Sequence, residues 1–147
     1  MNALSRAARI AAADGTERRL ALEALFYLMW ARVLILLPYA RYSRYLGRPM
    51  TESSLQEGGV CEALADRVSL AVRRAAKLSP LDTRCLVRAM AAMRMLRRRG
   101  VESTLYLGTA KDKDGRMIAH AWLRCGSRYV TGAEEMRGFT VVGRFAR

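Results

Sequence analysis

Hydrophobic spacing changes character once along this chain, near Gly100, and that change restricts the fold more than any other feature. Before it, apolar residues recur every three or four positions, the period of a helix. After it they fall into short runs of β-formers separated by turn residues. Helices first and an antiparallel sheet afterwards define an α+β fold. With 147 residues the chain is long enough for one domain with a real core, and it contains no internal repeat.

The helical half divides further. Residues 1–15 are Ala/Arg-rich and end at Asp14-Gly15, a turn signal. Thr16 is placed to cap a helix over 16–37, with Leu22, Leu25, Phe26 and Met29 at helical spacing and Pro38 beyond its end. Residues 39–46 suggest a short helix closed by Gly47, and 48–59, RPMTESSLQEGG, have loop chemistry. A helical arm over 1–50 and a core over 51–147 follow, the arm serving to dock substrate or a partner. A second long helix is expected over 60–78, stopped by Ser79-Pro80. A third, over 84–99, would be capped by Asp82 or Thr83 and carry Leu86, Met90, Met93 and Leu96 on one side. Arg97 to Arg99 suit the negative end of its dipole, and Gly100 stands where a C′ glycine belongs. Strands are expected over 104–110, 117–124, 128–131 and 139–142, with Gly126-Ser127 as a two-residue hairpin loop.

Charge narrows the partners. Lys and Arg total 26 against 13 acids, a net charge of +13 that favours acidic peptide, anionic lipid or nucleic acid. Arg-rich solvated helix faces would give the same number. Zinc-finger spacing and a helix-turn-helix signature are both missing, so no nucleic acid is expected. Residues 20–37 are long enough to span a bilayer, but Glu23 and Arg32 fall inside, each costing about 2.5–3.5 kcal/mol near a span centre. A buried helix fits better, with peripheral membrane contact left open. Three cysteines without a pairing pattern point to a reducing, cytoplasmic setting where a thiol stays free to react. Their spacing with His120, the sole histidine, matches no zinc motif, so neither metal nor cofactor is expected.

Two residues carry the chemistry. Cys85 lies at a helix start, where unpaired N–H groups and the dipole favour a thiolate and a developing oxyanion. A cysteine there can equally be small core filling. His120 sits mid-strand in Ile118-Ala119-His120-Ala121-Trp122, sharing a face with Ile118, Trp122 and Arg124. Trp122 would shield the imidazole and contact substrate. A strand-borne histidine facing a helix-borne cysteine is what a thiol nucleophile and its base require.

The ordered set of a Cys-Leu helix start, a Leu-Arg-Arg-x-Gly helix end, a Leu-x-x-Gly strand and an Ala-His-Ala-Trp strand spans Cys85 to Trp122. With EALFYLMWARVLILLPYARYSRYLG upstream, it resembles the transglutaminase-like leader peptidases of lasso-peptide biosynthesis over about residues 20–145. The resemblance implies a cysteine peptidase that removes the leader of a ribosomal precursor, with Cys85 as nucleophile and His120 as acid and base. It implies a separate PqqD-like leader-binding protein as partner, and an ATP-dependent cyclase acting next. An acyl transferase on the same fold and a catalytically idle basic docking or nucleic-acid-binding protein are the alternatives. The family pattern places an Asp on the strand after the histidine strand. Here that stretch reads Tyr129-Val130-Thr131-Gly132, with Glu134, or Glu135, as the nearest substitute.

Overall fold

β-Branched and aromatic residues are enriched in the C-terminal third, which builds most of one sheet. The computed structural model describes residues 4, 15–53, 59–80 and 83–146. Five strands lie in the order β1-β5-β2-β3-β4: β1 Arg48–Pro49, β2 Thr104–Lys111, β3 Met117–Cys125, β4 Arg128–Thr131 and β5 Thr140–Ala146. Every neighbouring pair is antiparallel. β2 and β3 pair from Thr104↔Arg124 to Lys111↔Met117, and β4 covers only Leu123 to Cys125 of β3. The β3 edge beyond Leu123 is therefore open towards β4, and the candidate site lies there.

The first and last strands differ from expectation. β5 starts one residue later than anticipated and runs on to Ala146, because pairing with β2 overrides the weak pattern of Gly143 and Arg144. β1 comes from the stretch read as loop. Its two residues pair with Ala146 and Phe145 at the sheet edge, where a proline costs no ladder bond.

The helices follow the expected order with shifted ends. α1 spans Gly15–Leu34, α2 Tyr39–Tyr42 with a 3-10 turn Ser43–Tyr45 behind it, α3 Gly59–Leu78 and α4 Cys85–Arg98. Thr16 falls inside the first turn of α1 and not before it. Arg84 holds the N-cap position of α4 without a side-chain cap bond. Thr83 Oγ1 instead accepts a hydrogen bond from Arg88 Nη2 at 3.4 Å, and Asp82 lies outside the described residues. The far end of α4 matches the sequence. Gly100, at φ +72°, donates to the Arg97 carbonyl and Val101 to the Leu96 carbonyl, a Schellman closure.

Most of the apolar stripe picked out by spacing on α1 faces away from the core, with only Leu25 packed against it. Leu20, Ala24, Tyr27, Leu28 and Ala31 are buried, whereas Leu22, Phe26 and Met29 are exposed. An all-round apolar helix has two stripes at the same period, so spacing alone cannot choose between them. Packing chooses: Ala24 and Ala31 let α1 lie close on α3 and α4. A Glu23–Arg99 pair also fixes its rotation, with bonds of 2.8 and 2.7 Å. No helix of the described residues is long and apolar enough to cross a membrane.

The core lies between these helices and one face of the sheet. Leu105, Ala121, Leu123 and Phe145 meet Val68, Val72, Met90 and Met93 there. By strand alternation His120, Trp122 and Arg124 point to the other face, with Tyr106. That face is closed by a polar clamp on Arg124. Its guanidinium donates to Tyr106 Oη at 3.0 Å, the Gly126 carbonyl at 2.6 Å and the Ser53 carbonyl at 3.0 Å.

Candidate active site

Cys85 is the first residue of α4 and half-buried, facing a cleft of about 340 Å³. Its sulfur accepts a hydrogen bond from the Ala121 backbone N–H at 3.4 Å. That N–H lies just beyond the last β4 pairing, so the thiol takes a donor that the sheet leaves over. Cys85 thus touches the backbone of the residue next to His120. Arg84, at the N-cap, makes no side-chain cap bond, and Cys85 sits at this positive end of the helix dipole.

His120 is 6% exposed, held between the Trp122 ring at 5.8 Å and the Phe139 ring at 5.3 Å between centroids. Its Nε2 lies 2.9 Å from the Gly132 carbonyl oxygen. A carbonyl only accepts, so Nε2 carries the proton of the neutral ring and Nδ1, the nitrogen nearer the strand backbone, keeps the lone pair. An orienting acceptor on one ring nitrogen and a free lone pair on the other is the arrangement a general base needs.

The residues after β4 supply that acceptor through backbone geometry. Gly132 adopts φ +73°, and a Cβ there would stand 2.6 Å from the Ala121 carbonyl oxygen and 3.0 Å from His120 Nε2. Only glycine places its carbonyl here without collision. Glu135, not Glu134, brings a carboxylate near the imidazole, with Oε2 3.6 Å from Nε2. Among the described residues no ion pair joins Glu134 to His120; Glu134 lines the cleft beside Cys85. The Glu135 side chain is 71% exposed, so its pull on the imidazole is screened by water.

Trp122 sits differently from a substrate contact. It is 5% exposed, outside the cleft lining, and stacked on Tyr106 at 5.6 Å as well as on His120. Its place is that of a support for the imidazole. The glycine of Leu-x-x-Gly belongs to the same support: a Cβ on Gly108 would meet the Trp122 ring at 2.8 Å. The two strand motifs are thus halves of one packing arrangement. Cys61 and Cys125 lie apart from it, their sulfurs 3.2 Å from each other. Among the described residues no group of three His, Cys, Asp or Glu side chains gathers to hold a metal.

A cysteine opens a helix and is set against a histidine-bearing antiparallel strand, an arrangement compatible with thiol hydrolase or acyl-transfer chemistry. The family model of the transglutaminase-like superfamily matches residues 24–144, nearly the whole described chain, and the protein belongs to that superfamily. Comparison with curated proteins and with solved structures gives no match.

Proposed function

We propose that this protein is a cysteine peptidase that removes the leader from a lasso-peptide precursor, with Cys85 as nucleophile and His120 as acid and base. The observation that carries the reading is the contact of Cys85 Sγ with the Ala121 N–H while the adjacent His120 is fixed through Nε2 on the Gly132 carbonyl. Superfamily membership and the ordered motifs from Cys85 to Trp122 support it.

The thiol gives its proton to His120 Nδ1, and the thiolate attacks the scissile carbonyl carbon. The tetrahedral oxyanion forms near the start of α4, where the helix dipole favours negative charge. His120 then passes the proton to the leaving amine as the C–N bond breaks, leaving a thioester on Cys85. Water attacks the thioester, gives a proton back to the imidazole, and frees the acid and the thiol. Gly132 O keeps the ring in register throughout, with Glu135 adding negative charge on the same side.

Replacing that water by an amine converts the same steps into acyl transfer, a second reading that superfamily membership favours. Release of a free core peptide without amine incorporation separates the two. Delivery of the precursor is assigned to a separate PqqD-like leader-binding protein, and ring closure to the cyclase that follows. Leu22, Phe26 and Val33, left exposed on α1, fit a protein that works bound to others.

Cys85→Ala and His120→Ala are expected to lower cleavage of the precursor by at least about 10³-fold while circular dichroism stays unchanged. Turnover retained in either variant overturns the assignment.

A further inference from the structure

The cleft at Cys85 has walls of opposite charge. On the helical side α3 presents Arg73 and α4 presents Cys85 and Arg88; on the other side stand Glu134 and Glu135. Arg88 follows Cys85 by three residues, so its side chain leaves the same face of α4 one turn along.

Several cations on and around these elements are paired with carboxylates. Arg74 pairs with Glu17, Arg98 and Arg99 with Glu23, and Arg128 with Glu62 and Asp66. Arg73 and Arg88 instead reach hydroxyls, Ser69 Oγ at 3.3 Å and Thr83 Oγ1 at 3.4 Å. Neither forms an ion pair among the described residues. A hydroxyl uses one of the five guanidinium donors and none of the charge, so both groups keep their capacity for an anion. Among the described residues lining the cleft, the facing glutamates make the helical wall the favourable side for it.

We propose that Arg73 and Arg88 form an anion subsite beside the Cys85 sulfur, which receives the carboxylate of an acidic side chain on the peptide substrate. The substrate half of this assignment rests on the peptidase reading; the anion subsite itself does not. Two alkylating agents of nearly equal size test it directly, anionic iodoacetate and neutral iodoacetamide. In both reactions the thiolate forms an S–C bond and iodide leaves, so the ratio of the two rates cancels the thiolate fraction and reports the reagent's charge. Peptide mass mapping of the full chain counts Cys85 separately from Cys61 and Cys125.

The iodoacetate-to-iodoacetamide ratio at Cys85 is expected about tenfold above that of free cysteine. It should fall about threefold in each of Arg73→Gln and Arg88→Gln, the factor that one unit charge several ångströms away gives in a water-filled cleft. Arg88→Lys should retain the preference, and Glu134→Gln should raise it. A ratio equal to that of free cysteine, a ratio unmoved by both glutamine variants, or no alkylation of Cys85 at all overturns the subsite. A chain with the charge preference but no peptidase activity keeps the subsite and loses the leader-peptidase reading. An active peptidase without the preference does the reverse. Among precursors with each acid near the cleavage point changed singly to its amide, one should show a raised KM that Arg88→Gln abolishes; no such position removes the substrate assignment.

Discussion

Gly132 shows how much of the candidate site depends on one backbone position. Its left-handed φ and the 2.6 Å approach of a Cβ to the Ala121 carbonyl leave no room for a side chain. Gly132→Ala is expected to cost about 1–3 kcal/mol in chemical denaturation. Cleavage should drop further than lost folding accounts for, because the carbonyl that orients His120 moves with the backbone. Wild-type kcat in a folded Gly132→Ala variant would show that this carbonyl does not position the imidazole. Cys85 and His120 could be named as candidates from the sequence because side-chain chemistry leaves a residue-type signature. The Gly132 carbonyl could not, since any residue type carries a backbone oxygen and only the turn places it. Glu135 and Glu134 are adjacent in sequence, and only the 3-10 turn decides which carboxylate meets Nε2.

At the scale of elements, α1 separates what period predicts from what packing decides. Helix type and approximate ends could be read from spacing, but the buried stripe could not, because both stripes are apolar. Leu28, 1% exposed, and Phe26, 63% exposed, make the contrast measurable. Leu28→Ala is expected to lower unfolding free energy by about 2–5 kcal/mol and Phe26→Ala by less than about 0.5 kcal/mol; equal losses would contradict the rotation of α1. The Glu23 pair adds a pH dependence to the same interface. Hydrogen bonding from Arg99, helped by the charges of Arg99 and Arg98, holds the Glu23 carboxyl below its ordinary value. A lowered folded-state value means that the stabilisation is complete above the unfolded carboxylate value and is lost as pH falls through the folded one. Glu23→Gln should therefore be destabilised relative to wild type by about 1–2 kcal/mol at neutral pH. Below about pH 4 that gap should close progressively. A gap that stays constant into acid would mean that the carboxylate is not what holds α1 to α4.

Across the whole molecule the net charge is +13, and the helical wall of the cleft holds two arginines that form no ion pair among the described residues. Composition alone left two readings open, a solvated Arg-rich surface or a field that recruits acidic ligands, because it says nothing of where the charge lies. The fold distributes it unevenly. Arg74, Arg98, Arg99 and Arg128 are spent on carboxylates of neighbouring elements, while Arg124 is buried as a clamp between β3 and the segment at Ser53. On the proposed reading, what remains near Cys85 would act on an approaching peptide over roughly a Debye length, about 10 Å at 0.1 M salt. Such a field accelerates encounter and holds the bound peptide, but adds little to bond breaking inside the site. Raising ionic strength from about 0.05 M to about 0.5 M should therefore raise KM for the precursor several-fold while kcat changes by less than about twofold. The Arg73→Gln/Arg88→Gln double variant should start from a higher KM and respond less to salt. If the KM of wild type ignores salt, the cations are solvated surface and substrate is recognised by shape and apolar contact instead.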